Sequence, residues 1–238
     1  MDTGAARSQI VDDGTVPGLT AHSTGTSTGA LGTRTATLAT LGELSLGPVR
    51  ASNLDVWLQP GPAGPSARHL LGMDLLIRAC CRFSFSHNEL GLDRSPAAAA
   101  RLPLTLVPSG HSYLVATWRP AAGQPVAANA LWDTGASITV VDEAFFNVHR
   151  DLFRDPASSI GTDATGTSST TSTYTIAGPT IGGHRFAPHR VAIVDLSSAN
   201  AQLTQPMDLI AGYPLLSQAD WIFDYPARRW AITTPPKS

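Results

Sequence analysis

A chain of 238 residues, 42% hydrophobic and 14% charged with a formal net charge of −2, can bury roughly 70 to 75% of the surface its unfolded form exposes, as one large domain or two small lobes. With Lys237 as its only lysine, it carries no basic field for a nucleic acid or an anionic membrane surface. Its most apolar run, Leu70 to Phe85, is broken by Asp74, Arg78 and Arg82, so it holds no transmembrane helix.

In chain order, Asp2-Thr3-Gly4-Ala5 comes first, with no charged-then-apolar leader ahead of it. Thr24 to Thr37 is almost pure Gly, Ser, Thr and Ala, and reads as a mobile hairpin carrying Gly29 and Gly32. Strands are predicted at Thr35 to Leu46 and Val49 to Leu58, separated by Gly47-Pro48. The apolar Leu70-Leu71-Gly72 precedes a single helical turn at Leu75 to Ala79 and a strand from Arg82 to Leu92. The adjacent Cys80 and Cys81 have no metal-site spacing and read as small core residues. Residues 96–101, with Pro96 and four successive alanines, read as a linker.

Beyond it, strands are predicted at Leu102 to Val107, Tyr113 to Trp118 and Val126 to Trp132, with Ala121-Ala122-Gly123 as a turn between the last two. Asp133-Thr134-Gly135-Ala136 repeats the opening motif, and a helical turn follows at Glu143 to Val148. Gly161 to Thr173, which contains Gly166, reads as a second Gly/Ser/Thr hairpin. Strands at Thr173 to Ile181, His189 to Val194 and Trp221 to Ile232 flank Ile210-Ala211-Gly212 and a helical turn at Leu215 to Ala219.

These halves repeat one another. Leu71-Gly72 aligns with Ala211-Gly212 at an offset of 140 residues, and the match runs without a gap through Phe83 with Phe223 to Leu92 with Ile232. At the aspartate motifs the offset is 131, so the second half holds about nine extra residues in between, an insertion of surface-loop size.

Two Asp-Thr-Gly-Ala motifs, each followed by a glycine-bearing hairpin and then by an apolar-apolar-Gly segment, resemble the retropepsin-like aspartic proteases in a single-chain, two-lobe form. The resemblance covers nearly the whole chain. It implies an all-β fold of two pseudo-twofold-related β-barrel lobes with flap hairpins and a cleft between them: an N-terminal lobe over 1–95 and a C-terminal lobe over 102–238, acting as a monomeric internal pseudo-dimer. It implies an aspartic endopeptidase acting on a polypeptide substrate with no cofactor and no metal. Asp2 and Asp133 would be the catalytic pair. Thr3, Gly4, Ala5, Thr134, Gly135 and Ala136 would support their loops, Gly72 and Gly212 would lie behind them, and Gly29, Gly32, Gly166 and Tyr174 would meet substrate from the flaps. Tyr174 also fits a plain cross-strand aromatic.

The residue types suit the chemistry. Two carboxylates held about 3 Å apart cannot both ionise, so they share a proton, one member serving as base and the other as acid. Glycines let the two loops approach. The seven histidines match neither a zinc-protease nor a zinc-finger spacing, and no nucleophile elbow or phosphate-binding loop is present. Two features depart from the family. Arg7 stands where the second copy has Ile138, and the first hairpin lacks a tyrosine. A catalytically silent peptide-binding or assembly module is the alternative.

About thirty residues that read as strands precede Asp133, but one methionine precedes Asp2. The comparison raises the expectation of an upstream extension ahead of Met1. Localisation would follow from it: cytoplasmic if Met1 is the start, exported if a leader precedes it.

Overall fold

The computed structural model describes residues 1–61, 68–120 and 124–236; the turn predicted at Ala121-Ala122-Gly123 lies outside them, as does Lys237. Strands make up 51% and helices 9%, so the fold is all-β. In chain order the first half contributes β1 (Gln9–Asp12), β2 (Leu19–Thr28), β3 (Thr33–Leu46), β4 (Val49–Pro60), α1 (Met73–Leu76), β5 (Cys80–Ser84) and β6 (Glu89–Asp93). The second contributes β7 (Leu102–Pro103), β8 (Thr105–Leu106), β9 (Ser112–Trp118), β10 (Val126–Trp132), β11 (Thr139–Asp142), α2 (Glu143–Val148), β12 (Phe153–Thr162), β13 (Ser168–Ile176), β14 (Thr180–Ile181), β15 (His184–Arg185), β16 (His189–Val194), α3 (Ser197–Asn200), β17 (Leu209–Ala211), α4 (Tyr213–Leu216), β18 (Asp220–Asp224) and β19 (Arg229–Thr234).

Among the described residues three sheets result. The first has the order β1-β4-β3-β2, and the second contains the same order again as β11-β16-β13-β12 before continuing through β17, β10, β9, β14 and β15. Both copies begin with a parallel pair, β1 on β4 and β11 on β16, and both end in a long antiparallel hairpin, β2–β3 and β12–β13. The sequence duplication is therefore a duplication of sheet topology. Contrary to expectation, neither sheet closes into a barrel. Among the described residues each runs as an open path that ends in β1 and β2 in one and in β12 and β15 in the other, whereas a barrel requires the first and last strands to pair.

The third sheet, β6-β5-β18-β19-β7, draws strands from both halves. Strand β5 pairs antiparallel with β18 so that Arg82 faces Ile222. Those two residues are 140 apart, the repeat offset itself, so the local twofold axis passes between them. Arg82 to Leu92 and Trp221 to Ile232, predicted as single strands, are each a hairpin. The chain reverses at Asn88 (φ 55°) and Arg228 (φ 51°), again 140 apart, and neither turn contains a glycine to announce it. Every residue of β18 is buried, as a central strand covered on both faces must be.

Trp132, Trp221, Phe223 and Trp230 form the aromatic centre of the main core. Trp132 lies against Trp221 at 4.7 Å and against Phe223 at 4.6 Å between ring centroids, and burial of each such ring contributes roughly 3 kcal/mol. The linker also packs. Ala97 and Ala100 are buried with Cys80 and Ile222, and Ala97 N–H donates to Asp224 at 2.9 Å. Both cysteines are free and buried.

Candidate active site

The two Asp-Thr-Gly-Ala loops meet. Each is held from behind by the segment that the repeat assigns to it. Asp2 N–H donates to the Leu71 carbonyl at 3.0 Å and Asp133 N–H to the Ala211 carbonyl at 3.1 Å. Further round each loop, Met73 N–H reaches the Ala5 carbonyl and Tyr213 N–H reaches the Ala136 carbonyl, both at 2.8 Å. Gly72 and Gly212 pass so close that a Cβ on Gly72 would lie 2.7 Å from the Arg7 carbonyl carbon, and one on Gly212 would lie 2.6 Å from that of Ile138. Their N–H groups donate to Ser8 Oγ at 2.9 Å and Thr139 Oγ1 at 3.2 Å, two hydroxyls 131 residues apart that occupy the same place in each loop.

Thr3 and Thr134 tie the loops together. Thr134 N–H donates to Thr3 Oγ1 at 2.9 Å and Thr3 N–H to Thr134 Oγ1 at 3.2 Å. The fully buried Thr3 hydroxyl donates to the Trp132 carbonyl at 3.0 Å. Both hydroxyls fix the distance between the loops.

That distance brings the two carboxylates together. Gly4 N–H lies between them, 2.9 Å from Asp2 Oδ1 and 3.2 Å from Asp133 Oδ1, while Gly135 N–H donates to Asp133 Oδ1 at 2.7 Å. A Cβ on Gly4 would land in the Asp133 carboxylate, and one on Gly135 in that of Asp2. Only glycine permits the crossing. Burial, the Asp2 charge and a hydrogen bond shared with Asp2 push Asp133 up to about 7, against the pull of the Gly135 and Gly4 N–H groups. A carboxyl that stays protonated to near-neutral pH beside a second carboxylate is a proton-sharing pair.

The two Gly/Ser/Thr stretches form hairpins, as predicted, and their tips meet. Asp163, at the tip of β12–β13, accepts the N–H groups of Leu31 at 2.8 Å and Gly32 at 3.2 Å from the tip of β2–β3. Gly29 and Gly32 lie against Asp163 and Thr167, where side chains would collide, and Gly166 takes φ +86°. Ala30 and Leu31 pack on an apolar cluster of the second half, Tyr113, Leu131, Val194, Leu196, Met207 and Ile210, which Ala136 also touches. The first hairpin thus reaches across to the neighbourhood of the second motif. Tyr174 is placed elsewhere: its ring lies 4.7 Å from Phe146 and 6.2 Å from Phe153, in a cross-strand aromatic cluster. Arg7 turns away from the pair, with its guanidinium 5.5 Å over the Trp57 ring and 3.9 Å from Asp55.

A shallow cavity of about 400 Å³, lined by Ala6, Arg7, Leu54, Asp55, Asp74 and Ser109, lies beside the first motif loop and does not include the two aspartates. Among the described residues no group of His, Cys, Asp and Glu is placed to hold a metal ion. Sequence reasoning missed Asp163 and His111, whose Nε2 lies 2.9 Å from the Gly4 carbonyl. An Asp at a hairpin tip is an ordinary turn residue, so only the spacing of the two hairpins in space reveals its second partner.

No protein-family model matches the sequence, and no curated protein matches it. Among solved structures the chain is similar to conglutin gamma, described as a unique basic 7S globulin from lupine seeds, with a TM-score of 0.54 and 11% identity over 99% of this chain and 87% of that one. At that identity the likeness is one of fold.

Proposed function

We propose that this chain is an aspartic endopeptidase of the retropepsin-like kind, with two pseudo-symmetric lobes, in which Asp2 and Asp133 hydrolyse peptide bonds without a covalent intermediate. The carrying observation is the crossed approach of the two carboxylates over Gly4 and Gly135, with Asp133 pushed up to about 7. In such a pair the ionised member removes a proton from an attacking water, and the protonated member donates to the scissile carbonyl oxygen. Thr3 and Thr134 hold the spacing and Gly72 and Gly212 support the loops from behind. Gly29, Gly32 and Gly166, at the hairpin tips, would lie over an extended peptide.

Hydrolysis of a denatured polypeptide at mildly acidic pH, with and without a statine-type transition-state analogue, tests the assignment. Cleavage should be blocked by the analogue and lost in both Asp2→Asn and Asp133→Asn. The two losses should not add, since each removes the same proton pair. Cleavage that survives either substitution unchanged would refute it. A silent binding or assembly module is the second reading. It draws on the hairpin tips, which Asp163 holds against one another, and on a structural neighbour described as a seed globulin.

A further inference from the structure

None of the histidines belongs to a recognisable motif, yet one touches the first motif loop from the opposite half. His111 ends the turn between β8 and β9, which is closed by Val107 N–H to the His111 carbonyl at 3.0 Å and by Gly110 at φ +87°. Its Nε2 lies 2.9 Å from the Gly4 carbonyl oxygen. A carbonyl only accepts, so Nε2 carries the hydrogen, and Nδ1 is left to accept from Ser109 Oγ at 2.9 Å. The residue anchored this way is the one whose N–H lies between Asp2 and Asp133.

We infer that His111 is a positioning residue for the aspartate pair: its neutral ring anchors Gly4, and its protonation places a positive charge beside Asp2 that keeps the pair singly ionised to lower pH. This rests on the aspartic-protease reading only for its kinetic consequence; the coupling itself is a property of the folded chain.

The order of protonation fits. Burial lowers His111 below its ordinary 6.5, opposed by the bond to Gly4 and by the Asp2 charge, so on acidification the pair, with Asp133 at about 7, takes up its first proton before the ring does. The charged ring needs no new site. Ser109 Oγ can turn to accept from Nδ1–H while Nε2–H stays on Gly4. Of the groups around it, Asp2 is the one that acts on the ring. Asp74 on α1 is engaged by Ser8 at 2.7 Å, Arg7 lies on Trp57 and Asp55, and burial holds Tyr225, beside Ser112, well above its ordinary value and therefore neutral. The turn itself, Val107 to Ser112, carries no other charge.

Carbonyl-labelled aspartate carbon NMR across a pH series, on the full chain and on His111→Gln, tests this. The glutamine amide can still donate to Gly4 but never becomes charged. In the variant the lower ionisation step of the pair should rise by about one pH unit while the upper step stays in place, the size expected for loss of a nearby opposite charge. The acid limb of kcat/KM should move up with it. An unmoved lower step overturns the proposal. Should His111→Gln not fold, the His111 ring is titrated directly in the wild type and in the double variant Asp2→Asn, Asp133→Asn, which removes the negative charge of the pair altogether: linkage requires the pKa of the ring to fall there, and an unchanged value overturns the proposal equally. Coupling seen in a chain that hydrolyses nothing would sink the protease assignment alone; hydrolysis without coupling would sink only the role of His111.

Discussion

The carboxylate of Asp163 accepts the backbone N–H of Leu31 across 132 residues of chain at 2.8 Å. One acidic side chain thereby joins the tips of two hairpins that belong to different halves. Its second tip-to-tip bond, from Gly32, and three bonds from its own turn, Thr165 N–H, Thr165 hydroxyl and Thr167 N–H, leave the carboxylate well satisfied. The repeat does not supply an equivalent in the first tip, whose four residues between β2 and β3 are Gly29, Ala30, Leu31 and Gly32. The latch is therefore asymmetric although the hairpins are equivalent.

Removing it should free the first tip. Asp163→Ala is expected to speed amide exchange at Leu31 and Gly32 about tenfold, from the loss of roughly 1–2 kcal/mol of charge-assisted hydrogen bonding, while exchange in β18 stays unchanged. Burial raises the Asp163 pKa, but the bonds from Thr165, Leu31 and Thr167 outweigh it, so the carboxyl lies below its ordinary 3.8. A depressed folded value means that the stabilisation is present above the unfolded value and lost as pH falls through the folded one. The latch should hold at mildly acidic pH and loosen only below 3.8. Exchange at Leu31 and Gly32 that accelerates already between neutral and mildly acidic pH, once corrected for the intrinsic rate, would contradict this.

The aspartate pair should have the opposite influence on stability. Asp133 is raised from 3.8 to about 7, so the folded chain keeps a proton that the unfolded chain has released across that window. Its contribution is complete below the unfolded value and is lost as pH rises through the folded one. Asp133→Asn, whose amide oxygen can still accept from Gly135 and Gly4, should abolish this loss. The stability of the variant relative to wild type should rise by on the order of 2 kcal/mol between acidic and neutral pH, read from urea unfolding. A pH-independent difference would mean that the pair shares no proton.

The duplication, the all-β class and the meeting of the two motif loops were legible in the sequence because they rest on local identity: two Asp-Thr-Gly-Ala strings 131 residues apart and two glycines 140 apart. Hairpin positions were legible from composition, since Ser, Thr and Gly runs cannot bury a core face. Closure was not. Whether a sheet curls into a barrel depends on strand tilt and stagger, which no run of residues states. The turns at Asn88 and Arg228 were hidden because non-glycine residues hold the positive φ. His111 and Asp163 were hidden for a different reason: their partners are backbone groups more than 100 residues away, and a backbone partner leaves no residue-type signature.

Cys80 and Cys81 should be silent to thiol reagents in the folded chain. Burial pushes the Cys81 thiol up to about 12 and raises that of Cys80, so neither forms the reactive thiolate near neutral pH. Labelling by an aromatic disulfide should appear only on unfolding, at both sites together. Fast labelling under native conditions would show that the Ala97, Ala100, Cys80 and Ile222 cluster opens independently of the core.

The glycines of the two motif regions should differ in what their substitution costs, because different atoms stand in the way. At Gly4 an added Cβ meets the Asp133 carboxylate, a side chain that can rotate; at Gly212 it meets the Ile138 carbonyl carbon at 2.6 Å and the Ala136 carbonyl oxygen at 2.9 Å, backbone atoms of the second motif loop. Gly212 has φ −100° and ψ −176°, an extended conformation open to any residue, so only the steric contact separates glycine from alanine there. Gly4→Ala should leave the fold nearly as stable as wild type, at a cost of about 1 kcal/mol or less, while displacing Asp133 and abolishing any hydrolysis. Gly212→Ala should instead cost about 2–3 kcal/mol of stability, because the loop behind Asp133 must shift as a unit. Denaturant midpoints measured beside activity would separate the two effects. Equal destabilisation by both substitutions would show that the Asp133 side chain is held as rigidly as the backbone.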